Sequence, residues 1–413
     1  MFETLEKRYP KERAHLLGQL EIHKKYKKFG QLFQLIQNYF HKYKSRPVCY
    51  DDLKGYLKYL YDNQQLEYLN KLNNTFNNTL ENEKGLDSII NAAKLKRMIS
   101  FNETVENEEM NGYKFSEIYE KYLPEGMNVP ETDLHPADDL AVLAGLAFIS
   151  AYHKCNDFKY IHKAICVMEF GLSNSKRSYR LKLLLIRLYR LIASPQLALD
   201  HNNSLRIQSI QQDTLSHWTC SRLSTFCAAS DGDMTCLNII PNTNHPFLGF
   251  WGEGERESNE MILKLFKQGT YSYLEDFITF ANRIKQSLNK QLLKIENIRM
   301  KVLRDKLESD EIKDMLTELR NVKIDTLVDN RDYQLLPEWQ SIGESVYEQT
   351  SIFTMNQGYN WLKCFHLIYK RIFSINLQSK GDVDVDDNID LSEVSSIFFF
   401  YPRAFRLYIY IYS

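Results

Sequence analysis

The stretch from Asp157 to Arg222 constrains this chain more than any other. Apolar residues recur in it at helical spacing, and helix-breaking residues cut it at regular intervals. Leu181, Leu184, Leu185, Leu188 and Leu191 fall on one side of a helix, and Tyr179, Ile186, Tyr189 and Ile192 widen that side. Ile161, Ala164, Ile165 and Met168 form an earlier stripe. Residues 171–175 separate the two. Pro195 suits a first helical turn, with Ser194 as its N-cap. Helix starts are expected near Asp138, Asp157, Lys176, Ser194 and Asp213, which places alternate starts 38, 37 and 37 residues apart.

Two antiparallel helices per unit at that spacing is the pattern of a helical-pair solenoid. The predicted fold is all-α, an antiparallel helical-pair, tetratricopeptide-like solenoid with a long helix near the C-terminal part. The chain divides into a basic helical region over 1–135, the helical-pair block over 136–228, an irregular connection over 229–257, a long helix with further helices over 258–375, and a disordered or aberrant tail over 376–413. Pro241, Pro246, Gly249, Gly252 and Gly254 mark the irregular connection. Phe277, Ala281, Ile284, Leu288, Leu292, Ile295, Ile298 and Val302 approach heptad spacing and carry the long helix, with Ser309-Asp310 starting another. Near the N-terminus two helices part at Gly30 and a third begins at Asp51-Asp52. The Asn-rich residues 70–78 read as a loose connection and 102–112 as a polar loop.

The net charge of −1 over 413 residues gives no whole-chain field favouring nucleic acid or anionic lipid. The first 60 residues differ, with 13 Lys/Arg against 6 Asp/Glu. Lys24, Lys25, Lys27 and Lys28 are the densest part and read as a solvated helix face or as a ribosome- or RNA-facing patch. Arg177, Arg180, Lys182, Arg187 and Arg190 accompany the central leucine stripe, either as its solvated outer face or as a contact for a protein partner. Seven cysteines with no CxxC pair fit reduced thiols and a cytoplasmic protein. No apolar run is long enough to span a bilayer.

Gly249-Phe-Trp-Gly252-Glu-Gly254 invites comparison with the glycine loop that holds acetyl-coenzyme A pyrophosphate. Gly249 stands where that loop has Arg or Gln, and Glu253 and Glu255 would repel a pyrophosphate, so a flexible turn is expected. His217-x-x-Cys220 with Cys227 and Cys236 matches no common zinc spacing. His153 and Cys155 have no orienting carboxylate in a recognisable arrangement. No catalytic, cofactor-binding or metal-binding residue is assigned.

The run from Met168 to Phe226 resembles the auxiliary, non-catalytic subunit of the NatB N-terminal acetyltransferase complex. Three further pieces agree in order: Arg46–Lys54, which is similar to that family's Pro-Cys-Cys and Asp-Leu element; Leu263–Phe280 with Gly269-Thr-Tyr-Ser272 inside it; and Asp329-Asn-Arg-Asp332 followed by Leu335 and Trp339. The resemblance covers roughly residues 5 to 345. It implies a helical scaffold that binds the catalytic acetyltransferase subunit and helps place it at the ribosome. That complex acetylates chains beginning Met-Asp, Met-Glu, Met-Asn or Met-Gln. Acetyl-coenzyme A would then sit on the partner, and this chain would have no cofactor or small-molecule substrate of its own. An RNA- or ribosome-binding helical module unrelated to acetylation is the alternative. Members of the family are longer and begin with tetratricopeptide-like repeats, so Met1 falls at the family's mid-chain. The text from about Gly381 matches no part of the family, and a partial product or an aberrant end is expected.

Overall fold

The computed structural model describes residues 8–9, 12–81, 85–100, 103–126, 129–130, 132–208, 210–225, 246–304, 307–341, 345–351 and 358–379. Helices dominate, and among the described residues there is no strand, only an isolated parallel bridge between Ser287 and Val328. The all-α fold of packed helical pairs expected from the spacing is the fold observed. The chain forms two units. Met1–Leu188 with Gln334–Ser351 is one, and Tyr189–Tyr333 with Ile352–Ser413 is the other.

The first unit opens with α1 (Ala14–Lys25), α2 (Phe29–Tyr43), α3 (Cys49–Leu57) and α4 (Asp62–Glu81). The break between α1 and α2 is at Lys27, which takes φ +56°, and not at Gly30, which lies inside α2. Lys28 N donates to His23 O (2.9 Å), closing the end of α1 with a six-residue cap. Asp52, in the first turn of α3, accepts from both Arg13 and Tyr39, so one carboxylate joins the first three helices. The Asn-rich text is helical, not loose. Tyr68, Leu72 and Phe76 recur every fourth residue and are buried, and that stripe outweighs the weak helix propensity of asparagine. Tyr68 meets Phe33 and Phe40 of α2 edge-on, with centroids 6.4 and 6.1 Å apart.

Next come α5 (Leu86–Ile99), α6 (Val105–Tyr122), α7 (Asp138–Cys155), α8 (Lys159–Asn174) and α9 (Tyr179–Leu191). The polar loop expected over 102–112 is mostly the first two turns of α6. Thr104 caps it, accepting from Asn107 N (3.2 Å), and acidic residues fill its first turn. α7 is buried along most of its length and packs between α6 and α8. Two glycines permit that closeness. A Cβ on Gly112 would lie 2.6 Å from the Phe148 ring, and one on Gly145 would lie 2.0 Å from Met168 Cε. Helices α8 and α9 begin a few residues after the expected Asp157 and Lys176.

The second unit contains α10 (Pro195–Leu205), α11 (Ile210–Leu215), α12 (His217–Cys220), α13 (Pro246–Gln268), α14 (Leu274–Lys285), α15 (Leu288–Arg304), α16 (Ser309–Arg320) and, after the short helix α17 (Val346–Gln349) of the first unit, α18 (Tyr359–Ser379). Two expectations are corrected here. Residues 246–257 are the start of a 23-residue helix and not an irregular connection. Pro246 is tolerated in a first turn, and the buried Trp251 fixes the helix by donating to Asp213 (3.1 Å). The long helix expected along the stripe from Phe277 to Val302 is divided at Gln286-Ser287. Val328 N donates to Gln286 O (2.7 Å), Leu288 N donates to Val328 O (2.9 Å), and the Ser287 hydroxyl donates to Asp213. These partners satisfy the backbone groups freed by the break. A new helix does start at Ser309, with a reciprocal cap between Glu308 and Glu311. The tail expected from 376 is still helical to Ser379, while residues 226–245 and 380–413 lie outside the described residues.

Candidate functional site

Trp339 lies where cations of two helices of the first unit converge. The segment Gln334–Ser351 crosses that unit, and Trp339 is 6% exposed in the middle of the crossing. Lys94 Nζ of α5 sits 3.9 Å from the centroid of the Trp339 ring, and the Arg180 guanidinium of α9 sits 5.6 Å from it. Asp139 of α7 pairs with both cations, at 2.5 Å to Lys94 and 2.8 Å to Arg180. Burial lowers the Lys94 pKa from its usual value, although Asp139 opposes it. Arg97 Nε donates to Trp339 O (3.2 Å), and another arm of the same guanidinium reaches Gln340. Its third contact is Glu108 of α6 (2.8 Å), which also meets Lys154 (3.3 Å). Burial pushes the Glu108 carboxyl up, but Arg97 and Lys154 outweigh it and hold the group below its ordinary range. Tyr50 OH donates to Glu338 O (2.9 Å), Gln340 donates to Leu146 O (3.0 Å), and Ser341 donates to Ser100 O. This network clamps a distant segment of the chain onto α3, α5 and α7. Its cations are already held by carboxylates and carbonyls, so it is suited to fixing a surface and not to binding a substrate.

The five basic residues flanking the central leucines do not form one exposed stripe, which corrects their reading as an outer face. Arg177 is exposed, Arg180 is committed to Asp139 and Trp339, and Lys182 is 7% exposed. Arg187 donates to Thr350 Oγ1 (3.0 Å), Tyr347 O (2.8 Å) and Ser351 Oγ (2.9 Å), and its guanidinium lies 4.4 Å from the Tyr347 ring centroid. Arg190, 7% exposed in the second unit, donates to the carbonyls of Trp218 and Ser221. The reason is that α9 is a core helix: Leu181, Leu183, Leu184, Leu185, Ile186 and Leu188 are all buried, leaving little free face for solvated arginines.

The N-terminal lysines are placed differently. Lys25, Lys27 and Lys28 are exposed at the end of α1 and in the turn to α2. Lys24 is half-buried, bonds Glu21 (2.9 Å) and lies 5.6 Å from the Tyr56 ring centroid. The turn therefore presents three lysines together.

The motifs considered for chemistry have structural roles. Gly252 and Gly254 lie inside α13 beyond its first turn, so their N–H groups cannot cradle a pyrophosphate, and the expected flexible turn there is helix. His217 is buried between Trp218 and Tyr333, with centroids 4.5 and 4.6 Å away. Cys220 is buried, and burial pushes its thiol up to about 12. Cys155 bonds the backbone of its own helix through Ala151 O (3.2 Å). Cys227 and Cys236 lie outside the described residues. Among the described residues no three His, Cys, Asp or Glu side chains are grouped to hold a metal, and no helix is long and apolar enough to cross a membrane.

Two buried acids in the second unit have no signal in the sequence. Asp213, expected as a helix start, is 1% exposed and accepts from Trp251, Ser287 and Asn330 (2.8 Å to the last); burial raises its pKa against these bonds. Glu296, fully buried, accepts from Ser224 N (3.1 Å) and Oγ (2.7 Å) and from Arg299 (3.3 Å). Apart from Arg299, three residues from Glu296, the partners come from distant parts of the chain, which no local spacing announces.

Residues 1–333 match the profile of the family described as the N-acetyltransferase B complex (NatB) non-catalytic subunit. The human N-alpha-acetyltransferase 25, NatB auxiliary subunit, is 24% identical over 362 residues, which is 84% of this chain and 36% of the human one. The N-terminal acetyltransferase B complex subunit arm1 of Schizosaccharomyces pombe is 30% identical over 193 residues, covering 45% of this chain and 23% of its own length. The chain thus spans about a third of the length of the human relative it matches. A chain of the solved NatB acetyltransferase complex bound to CoA and MES has the same fold, with a TM-score of 0.59 and 18% identity over 96% of this chain and 51% of that one.

Proposed function

Because the chain belongs to the family of non-catalytic subunits of the NatB complex, we propose that it is a helical scaffold for the catalytic acetyltransferase subunit. In this reading the partner binds acetyl-coenzyme A and performs the transfer, while this chain holds it near the ribosome in the cytoplasm as new chains emerge. The substrates are chains beginning Met-Asp, Met-Glu, Met-Asn or Met-Gln. The observation that carries the proposal is the family match over residues 1–333. The helical placement of Gly252 and Gly254 supports it, since a scaffold needs no pyrophosphate loop. Of the central basic residues, exposed Arg177 is the one proposed to contact the partner directly, whereas Arg180, Lys182 and Arg187 support that face of the first unit from within. The test is an acetyl-transfer assay on a Met-Asp peptide. The purified chain should be inactive alone, and it should raise the activity of the catalytic subunit when the two are mixed. Transfer by the chain alone would refute the proposal.

A ribosome contact through the basic turn has its own support in the joint exposure of Lys25, Lys27 and Lys28. Counterion release would make such a contact strongly salt-dependent, whereas an apolar contact with the catalytic subunit would be much less so.

A further inference from the structure

Between α2 and α4 the first unit carries a cavity of about 540 Å³ lined largely by carboxamides. Gln34 and Asn38 stand four residues apart on α2, and Asn74 and Asn78 four apart on α4. Residues at that interval on a helix are about 6 Å apart along its axis. An extended peptide presents a backbone N–H and C=O along one edge every second residue, or about every 6.6 Å. A carboxamide offers a donor and an acceptor, the complement of one peptide group. Gln34, Asn38 and Asn74 have no side-chain hydrogen-bond partner among the described residues.

The charge of the lining is one-sided. Lys44 and Lys71 line the cavity and no Asp or Glu does, although Glu67 lies 3.6 Å from Lys71 beside it. Among the described residues Lys44 has no carboxylate partner. Phe40 and Tyr68 of the lining are buried, which leaves the exposed His41 imidazole as the ring there that could stack a nucleobase.

We propose that the α2–α4 groove binds an acidic polypeptide segment in extended conformation. Gln34, Asn38 and Asn74 hold its backbone, and Lys44 and Lys71 favour acidic side chains. The inference stands independently of the acetyltransferase assignment.

The experiment is fluorescence anisotropy on the full chain, with a fluorescein-labelled ten-residue peptide of alternating Glu and Ser. Saturable binding is expected. The double variant Asn38→Ala/Asn74→Ala should weaken it by about ten-fold or more with an unchanged melting temperature, because both side chains are exposed. A Lys-Ser peptide of the same length should bind weaker by a similar factor. Absence of saturable binding, parent-like affinity in the double variant, or displacement by an equal concentration of a ten-nucleotide RNA would overturn the proposal.

Discussion

Arg97 shows how much a single residue can hold in this chain. Its guanidinium joins Glu108, Gln340 and the Trp339 carbonyl, and the Arg97–Glu108 pair is buried with side-chain exposures of 7% and 5%. Arg97→Ala should cost about 3–5 kcal/mol, because it leaves a buried carboxylate short of its main partner. Urea titration measures this, and a loss below 1 kcal/mol would mean that water replaces the guanidinium. Leu184 and Leu188 were legible in the sequence. Their four-residue spacing within the leucine stripe predicts burial, and both are fully buried. Either one changed to Ala should cost roughly 2–5 kcal/mol, and a parent-like melt would show that the stripe is not core. The fates of Arg187 and Arg190 were not legible, since their partners sit at 347–351 and 217–221 and helical periodicity cannot tell a snorkelling arginine from a buried one. Asp138 gives a pH prediction. Burial, opposed by the Ser175 and Ser178 hydroxyls, raises its carboxyl to about 6, against about 4 in an unfolded chain. Between those values the folded state binds the proton more tightly, so this group's contribution to stability falls as pH rises from about 4 to about 6 and is flat above. The stability of Asp138→Asn relative to the parent should therefore increase over that window by up to about 3 kcal/mol. Identical slopes for the two proteins would contradict the buried-carboxyl assignment.

At the scale of elements, helix periodicity was readable wherever local residues decide, and the starts at Asp138, Pro195 and Ser309 fall where expected. The caps were less readable: the Ser194 side chain makes no cap bond, and Glu308 rather than Ser309 caps α16. The errors arose where composition was weighed above pattern. Asparagines at 70–78 suggested a loop, yet the buried stripe of Tyr68, Leu72 and Phe76 makes them the polar face of α4. Glycines at 249–254 suggested a turn, yet Trp251 anchors a helix there. The break at Ser287 depends on Val328 and Asp213, and neither is near in sequence. The segment Gln334–Ser351 belongs to the same class. Trp339 stood out in the text as a family landmark, but the cations around its ring come from α5 and α9. Trp339→Ala should cost about 3–5 kcal/mol and should abolish hydrogen-exchange protection at Gln340 and Ser341 before that of α7. Retained protection at those amides would show that the segment does not depend on its tryptophan.

For the whole molecule, the family assignment was legible because four short pieces occur in a fixed order, and the profile match over residues 1–333 agrees with it. Which face meets a partner was not legible, because recognition depends on exposed side chains whose placement follows only from the complete packing. The exposed lysines of the α1–α2 turn give one consequence. Changing Lys24, Lys25, Lys27 and Lys28 together to Glu should lower co-sedimentation with ribosomes at low salt while leaving the proposed contact with a catalytic subunit intact. Unchanged sedimentation would leave these lysines as solvated surface. The central claim is that the chain is a non-catalytic scaffold for an acetyltransferase partner. Size-exclusion chromatography of the purified chain mixed with the NatB catalytic subunit, with each fraction assayed for acetylation of a Met-Asp peptide, tests it most directly. The account predicts co-elution ahead of either protein alone, with activity in the shared peak and none in the peak of the chain by itself. Separate elution of the two proteins, or activity travelling with this chain alone, would contradict it.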